Sequence, residues 1–598
     1  MESLARKLRE KILGTVSRNG GHLSSTLGAV DLIVAMHKVF DPAKDPFIFD
    51  VSHQSYAHKL LTDRWDDFDT LRRFGGVSGY TSPDESPFDY YKAGHSSTSI
   101  SIAVGAAKAI SLKGEKRVPV VMIGDGSMSA GMVYEALNEL GERKYPVVII
   151  LNDNEMSIAK PIGAISRYLS KGMAGPFYQK VRKKTESLLE HLPESASYVA
   201  KKFEESLRLI TPGILFEELG LQYIGPIDGH DIGSIVETLE MAKEMKKPVI
   251  VHAQTIKGKG YSIAEGQVER WHGVGPFDIE SGAPLSGGGG GKSATKIFSE
   301  TLLELAERDS SIVGVTAAMP GGTGLTPLLE RYPDRFWDVA IAEQHAVTSM
   351  GPLAKEGFKP FCAIYSTFLQ RGYDQVVHDI ALMNLGVVFA IDRAGIVGED
   401  GETHQGVFDI SYLRPIPNMT LMAPFNETGM KKALDFAVEF PTPLAIRYPR
   451  SSFMADDFDV PDYETGKSHL LKEGDGVLFV GYGNGVGRAM ATAESLDGIE
   501  PAILDLRFVK PLDGDMLEYL SEKYEKWYIF SDSVRIGGVA SAIEEFFSSE
   551  APYGKRPEIV TFEYEDGFIT HGKTEDVERS LGILPQQLAA IIENDKKN

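Results

Sequence analysis

The sequence predicts an α/β chain of three doubly wound, mostly parallel-sheet domains. Three observations lead there. Short apolar runs alternate with stretches of helical spacing along most of the chain. The apolar runs lack polar alternation, which suits strands covered by helices on both faces. The chain has 598 residues, 42% of them hydrophobic and 24% charged, which is ordinary globular usage with room for several cores.

Taken in order, MESLARKLREKILGTVSRNGG sets Leu and Ile among charges at helical spacing and carries Glu2 and Glu10. It reads as a first helix of the fold, not as a secretory or transit leader. VPVVMI (118–123), PVVIIL (146–151) and PVIVHA (248–253) read as buried strands, with helical spacing over 130–142 and 232–246. Ile165–Thr211 breaks this rhythm, has many Lys and Glu, and predicts helices or a mobile excursion. SGGGGGKS (286–293) reads as a flexible linker. GVVFAI (386–391), GVLFVG (476–481) and WYIF (527–530) are further strands, and the stretch 454–469 between them is acidic and turn-rich. The expected domains are 1–285, 296–460 and 461–598, with 286–295 as the linker.

Two glycine-rich stretches are excluded as nucleotide loops. Gly291-Lys292-Ser293 has Ser286 where a phosphate-binding loop needs glycine, and no strand precedes it. GYGNGVG (481–487) misses the dinucleotide spacing and reads as a strand-to-helix turn with close backbone packing. The 84 acidic and 62 basic residues leave a net charge of −22. That field disfavours nucleic acid and anionic membrane surfaces as partners. No apolar run approaches the ~20 residues that span a bilayer. Cys362 is the sole cysteine, so no disulfide forms within the chain, and a reducing, cytoplasmic setting is expected.

The most specific chemical signal is Gly124-Asp125-Gly126-Ser127, which follows one strand, opens a helix and is answered by Asn152-Asp153-Asn154 after the next strand. Asp125 and Asn154 are 29 residues apart, one β-α-β unit, so both should emerge at the carboxyl ends of neighbouring strands. A carboxylate and a carboxamide oxygen are hard donors suited to Mg²⁺. Glycines let a diphosphate approach backbone N–H groups at the helix start. The pattern resembles the thiamine diphosphate motif. That resemblance implies Asp125, Asn154 and the backbone carbonyl of Met156 as metal ligands, with Gly124, Gly126 and Ser127 against the cofactor.

The middle of the chain carries a second signal. Glu343 follows a strand-like run, and Tyr365, Phe368 and Arg371 lie near another strand end. Thiamine diphosphate needs a carboxyl on the far nitrogen of its aminopyrimidine and a flat apolar ring to hold that pyrimidine. Glu343 fits the first role and Phe368 the second. Five histidines, His22, His53, His95, His272 and His404, sit in Gly- or Ser-rich contexts and suggest donors and proton shuttles near neutral pH. They lack zinc spacing. Arg393 and Arg450 each follow a strand; the guanidinium fork matches phosphate oxygens, and structural ion pairing is the other use of such residues.

Together with VSRNGGHLSSTLGAVDL, DVSHQSYAHKLLTDR, KAGHSSTSIS, NDNEMSIAKPIGA, AIYSTFLQRGYDQVVHDIAL and DRAGIVGEDGETHQGVFDISYLRPIPN, these residues resemble the 1-deoxy-D-xylulose-5-phosphate synthase family of transketolase-like enzymes. The resemblance runs from about residue 3 to the C-terminus and departs at the glycine run. It implies a transketolase-like fold and a thiamine diphosphate- and Mg²⁺-dependent condensation of pyruvate with D-glyceraldehyde 3-phosphate. Carbon dioxide leaves, and the product feeds isoprenoid, thiamine and pyridoxal synthesis. His22 and His272 are implied near the reacting carbon, with His53 and His95 lining the same cavity or its diphosphate edge. Tyr365, Arg393, Asp400, His404 and Arg450 are implied to hold the phosphotriose. A homodimer is implied, with the first and middle lobes building each site, within one chain if the family's arrangement holds. Transketolase is the nearest alternative; a non-catalytic thiamine diphosphate-binding scaffold is the alternative of a different class.

Overall fold

The computed structural model describes residues 1–154, 213–266, 271–285, 291–551 and 554–595. The excursion expected over 165–211 and most of the glycine run lie outside them. The chain forms two compact units, Met1–Arg72 with Gly76–Gly287, and Arg73–Gly75 with Gly288–Asn598. No helix among the described residues is long and apolar enough to cross a membrane.

The first unit is built on a five-stranded parallel sheet in the order Phe47–Phe49, Val120–Gly124, Val148–Asp153, Val249–Gln254, Gln222–Asp228. The expected buried strands supply its centre. Their side chains divide by face, as the two-residue strand period dictates. Val120, Met122, Val148, Ile150, Val249 and Val251 pack with the helices Glu2–Asn19, Ser24–Val39 and Ile232–Glu244. Val121, Ile123, Ile149, Leu151 and Ile250 pack with Ser99–Leu112 and Gly131–Arg143 on the other face. Truncating one of the Ile, Leu or Met residues among these to alanine costs about 2–5 kcal/mol. A two-stranded antiparallel ribbon pairs Gly21 with Val274 and His22 with Gly273.

The second unit holds two sheets. The larger has seven strands, in the order Phe508–Lys510, Thr420–Met422, Leu444–Arg447, Val388–Asp392, Lys359–Tyr365, Ile312–Thr316, Phe336–Asp338. Its strands are parallel except Phe508–Lys510, which pairs antiparallel with Thr420–Met422. The smaller has five, in the order His469–Lys472, Ala502–Asp505, Val477–Gly481, Lys526–Phe530, Glu558–Thr561. One apolar core serves both sheets, with Cys362, Ile364 and Phe389 from the larger and Leu478, Val480 and Trp527 from the smaller. Phe508–Lys510 therefore comes from beyond residue 461 yet completes the larger sheet.

The excluded nucleotide loops have plain structural uses. Ser293 accepts a hydrogen bond from the Lys296 N–H and caps the helix Ala294–Arg308. In GYGNGVG, a side chain at Gly481 would collide with Val486, and one at Gly485 with the Phe530 carbonyl. This turn packs backbone on backbone.

Candidate active site

In the first unit, Gly124 lies opposite Asn152 on neighbouring parallel strands. The chain leaving those strands carries Asp125 and Asn154 to the carboxyl edge of the sheet, where open α/β sheets hold ligands. The sequence leads one to expect a helix directly from the glycine motif. Instead Asp125–Ser129 forms a 3-10 turn, Ala130 is extended, and the α-helix begins at Gly131. Gly and Ser are weak α-helix formers, and Ser129 Oγ donates back to the Gly126 carbonyl at 2.8 Å, which tightens the turn.

Asp125 is only 4% exposed. Its Oδ2 and Asn154 Oδ1 are buried with no hydrogen-bond partner among the described residues. Two unsatisfied hard oxygens at adjoining strand ends are costly unless a cation meets them. A Cβ added at Gly124 would meet nothing within 4 Å among the described residues, which leave space against the backbone there. These residues fit a divalent cation carrying a diphosphate. Met156 lies outside the described residues. Burial, and next the Asp153 charge, push the Asp125 carboxyl up to about 6, against the pull of Lys257. Lys257 is buried, and burial lowers its pKa while Asp125 opposes that shift. The sequence reading missed Lys257; its placement just beyond the strand-like PVIVHA, at the same sheet edge, is the signal that marks it.

The histidines converge by local geometry. Pairing of Gly21–His22 with Gly273–Val274 draws His22 and His272 together, with ring centroids 5.8 Å apart. His53 joins them at 5.3 Å from His22 and 5.1 Å from His272. It follows Val51 and Ser52, whose φ values of 57° and 71° are left-handed, a strained arrangement for a β-branched residue. Ser25 Oγ lies 3.2 Å from His272 Nδ1, and the Tyr80 ring, not singled out in the sequence, packs 5.5 Å from His22. His95 lies in the loop before the helix Ser99–Leu112. Its loop is joined to the glycine motif by Ser97 Oγ, which donates to the Ser127 carbonyl at 2.9 Å.

In the second unit, Glu343 opens the helix Glu343–Lys355 and is 6% exposed. Burial raises its pKa, opposed by the charge of Arg371. Arg371 belongs to the turn that follows the short helix Ser366–Leu369, which carries Phe368. The Tyr365 ring is stacked on Phe368 at 5.3 Å, and the Arg393 guanidinium lies over its ring, 4.1 Å from the centroid. Phe368 meets His404 edge-on at 5.5 Å. Burial pushes the Tyr365 hydroxyl up to about 12, where it also feels Arg393, Arg450 and Asp400. The five residues expected around a phosphotriose thus share one neighbourhood. Arg393 also donates to Asp392 at 2.7 Å and to the Gly322 carbonyl, so part of its fork is committed within the protein. Arg450 donates to the Val397 carbonyl at 3.1 Å, and its side chain is 49% exposed.

A family model described as 1-deoxy-D-xylulose-5-phosphate synthase matches residues 1–255. The transketolase pyrimidine binding domain matches 291–455, and the transketolase C-terminal domain matches 466–588. The chain is 69% identical over 597 residues to the 1-deoxy-D-xylulose-5-phosphate synthase of a Nitratiruptor species, covering 99% of this chain and 98% of that protein. It is 66% identical to the protein of the same name from Sulfurimonas denitrificans, covering 98% of this chain and 97% of that one. A crystal structure of transketolase from Campylobacter jejuni matches at 18% identity and a TM-score of 0.44, covering 99% of each chain. The chain belongs to the 1-deoxy-D-xylulose-5-phosphate synthase family of transketolase-like thiamine diphosphate enzymes.

Proposed function

We propose that this protein condenses pyruvate with D-glyceraldehyde 3-phosphate, releases carbon dioxide and forms 1-deoxy-D-xylulose 5-phosphate, which opens non-mevalonate isoprenoid synthesis. The observation that carries this reading is the near-full-length similarity to relatives of that name. When bound, thiamine diphosphate supplies a nucleophilic carbon and an electron sink for decarboxylation of a 2-keto acid.

The chain's own residues supply the rest. Asp125 and Asn154, with their unmatched buried oxygens, hold Mg²⁺ against the diphosphate. Glu343 holds a proton for the pyrimidine nitrogen, and its burial supports that role. Phe368 offers the flat apolar face. His22 and His272 donate to developing oxyanions, while His53 and His95 border the cofactor. His404 passes protons near the second substrate. Tyr365, Asp400, Arg393 and Arg450 orient the phosphotriose, with the two guanidinium groups on its phosphate. Family likeness supports a homodimer, and a biosynthetic role of this kind supports a cytoplasmic setting.

Two assays test the reading. Labelled pyruvate should release carbon dioxide only when the cofactor is present, and a coupled assay should detect deoxyxylulose phosphate once the phosphotriose is added. Turnover of a ketose phosphate donor, with no pyruvate decarboxylation, would assign transketolase activity instead. Absence of both activities at saturating cofactor would leave a binding scaffold.

A further inference from the structure

His230 lies outside the constellations above. It follows the edge strand Gln222–Asp228 and precedes the helix Ile232–Glu244. Its backbone is fixed on both sides. The His230 N–H donates to Asp228 Oδ1 at 2.8 Å, the Gly229 N–H donates to the Gln254 carbonyl at 2.7 Å, and Asp231 caps the following helix. The point from which the ring projects is therefore fixed.

Both ring nitrogens are engaged. Nδ1 lies 2.7 Å from Asp31 Oδ2, and Nε2 accepts the Ile256 N–H at 2.9 Å. A backbone amide can only donate, so Nε2 must present its lone pair, and the proton sits on Nδ1 facing Asp31. Asp31 is itself fixed by a two-pronged contact from Arg9 at 3.0 and 2.6 Å. Burial alone would raise the Asp31 carboxyl; the hydrogen bonds from His230 and Arg9 outweigh it and hold it below its usual range. Arg9, Asp31 and His230 form a rigid series ending on one backbone N–H.

That N–H belongs to the segment carrying the site. Thr255 donates through Oγ1 to Asn152 Oδ1 at 2.5 Å and through its N–H to the Asp153 carbonyl at 2.8 Å. Lys257 is the buried cation opposing Asp125. The Gly258 N–H donates to the Ser24 carbonyl at 2.8 Å, and the helix Ser24–Val39 packs so tightly at Gly28 that a Cβ there would lie 2.9 Å from the Ile256 carbonyl. Ile256 is the link between these anchors, and its N–H is held by a side chain from outside the site.

We propose that His230 is a positioning residue for the diphosphate end: as the neutral Nδ1–H tautomer it bridges Asp31 to the Ile256 N–H and thereby sets where Thr255 and Lys257 stand beside Asn152 and Asp125. This rests on the proposed binding of thiamine diphosphate at Asp125 and Asn154.

Two variants separate the bridge from the fold. His230→Asn keeps a donor near the Nδ1 position, so buried Asp31 retains its partner, but the side chain is too short to reach Ile256. His230→Gln extends an acceptor toward Ile256. Calorimetric titration with thiamine diphosphate and Mg²⁺ should show about tenfold weaker binding for His230→Asn, the usual size of effect when a group that orients ligands is lost. Hydrogen exchange at the Ile256 and Lys257 amides should be faster in that variant without cofactor. His230→Gln should restore most of the affinity and the amide protection. Folded His230→Asn with wild-type affinity and wild-type exchange overturns the proposal, as does His230→Gln losing as much as His230→Asn on both readouts. Wild-type protein that fails to bind the cofactor overturns the functional reading instead, and the exchange measurement still tests the bridge.

Discussion

Arg447 and Asp532 form a buried ion pair, with Asp409 completing the guanidinium's partners at 3.0 Å. Arg447 ends a strand of the seven-stranded sheet, and Asp532 follows a strand of the smaller sheet. Three residues on, Arg450 is half-exposed. The two arginines of one RYPR motif therefore do different work. Arg447 joins two sheets across a shared core. Arg450, 3.8 Å from Glu399, keeps a guanidinium that is open to solvent.

Replacing each arginine should separate these roles. Arg450→Ala should raise KM for the phosphotriose and leave pyruvate decarboxylation on its own nearly unchanged, because lost binding appears at the substrate that the clamp touches. Arg447→Ala should instead destabilise the second unit by about 3–5 kcal/mol by leaving buried Asp409 and Asp532 uncompensated. Steady-state kinetics and urea unfolding of both variants check this. An equal rise in KM for pyruvate in Arg450→Ala would make Arg450 a structural residue as well.

Asp125→Ala should abolish cofactor binding while the far-ultraviolet circular dichroism stays unchanged. Asp125 supplies the full negative charge among the proposed ligands, and alanine leaves only neutral protein donors for the cation. The fold should persist because Lys257, the buried cation opposed to Asp125, already has its pKa lowered by burial and can shed its proton once the carboxylate is gone. Calorimetry with thiamine diphosphate and Mg²⁺ is the measurement; undiminished affinity would move the metal site elsewhere.

A buried charge cluster in the first unit predicts acid sensitivity. Asp89 accepts from Arg64 at 2.7 and 2.9 Å, from the Ser82 N–H at 2.8 Å, and contacts His58 Nε2 at 3.1 Å. Burial alone would raise its pKa, but the bonds from His58 and Arg64 hold the carboxyl well below the usual range. A depressed carboxyl contributes stability above its unfolded pKa of about 4, and that contribution is lost as pH falls toward the lower folded value. Asp89→Asn should therefore cost about 3–5 kcal/mol at neutral pH and progressively less below about pH 4. Thermal melts of both proteins across that range should show the curves converging.

The sequence made legible whatever follows from local pattern. Valine- and isoleucine-rich runs found the central strands because burial on both faces leaves no other composition. The spacing of Asp125 and Asn154 found adjoining strand ends because one β-α-β unit fixes that distance. Long-range relations stayed hidden. Gln222–Asp228 is an edge strand whose register shifts around Pro226, so its pattern is broken by a residue that edges tolerate. Phe508–Lys510 joins the larger sheet from beyond the expected boundary, which no local composition encodes. Five histidines looked alike in the sequence, yet only the pairing of Gly21–His22 with Gly273–Val274 brings His22 and His272 together. Lys257 looked like any lysine in a glycine-rich loop until its burial beside Asp125 was visible.

Glu343 gives the sharpest test of the catalytic reading. Its carboxyl is buried at the start of a helix, and burial raises its pKa even though Arg371 pulls the other way. A raised pKa keeps a proton available nearer neutral pH, as a group sharing a proton with a pyrimidine nitrogen requires. Glu343→Gln preserves the size and a hydrogen bond but cannot relay that proton. Glu343→Ala removes the partner as well. Both should slow hydrogen–deuterium exchange at the cofactor's thiazolium carbon, by about 10²–10⁴-fold, the usual size of a general acid–base contribution. Cofactor affinity should fall far less, because the metal and diphosphate contacts assigned to Asp125 and Asn154 remain. Exchange followed by NMR on the bound cofactor, beside a calorimetric titration, separates the two effects. Wild-type exchange in Glu343→Gln would place the activating carboxyl elsewhere, and the role of the Glu343–Lys355 helix would then be structural.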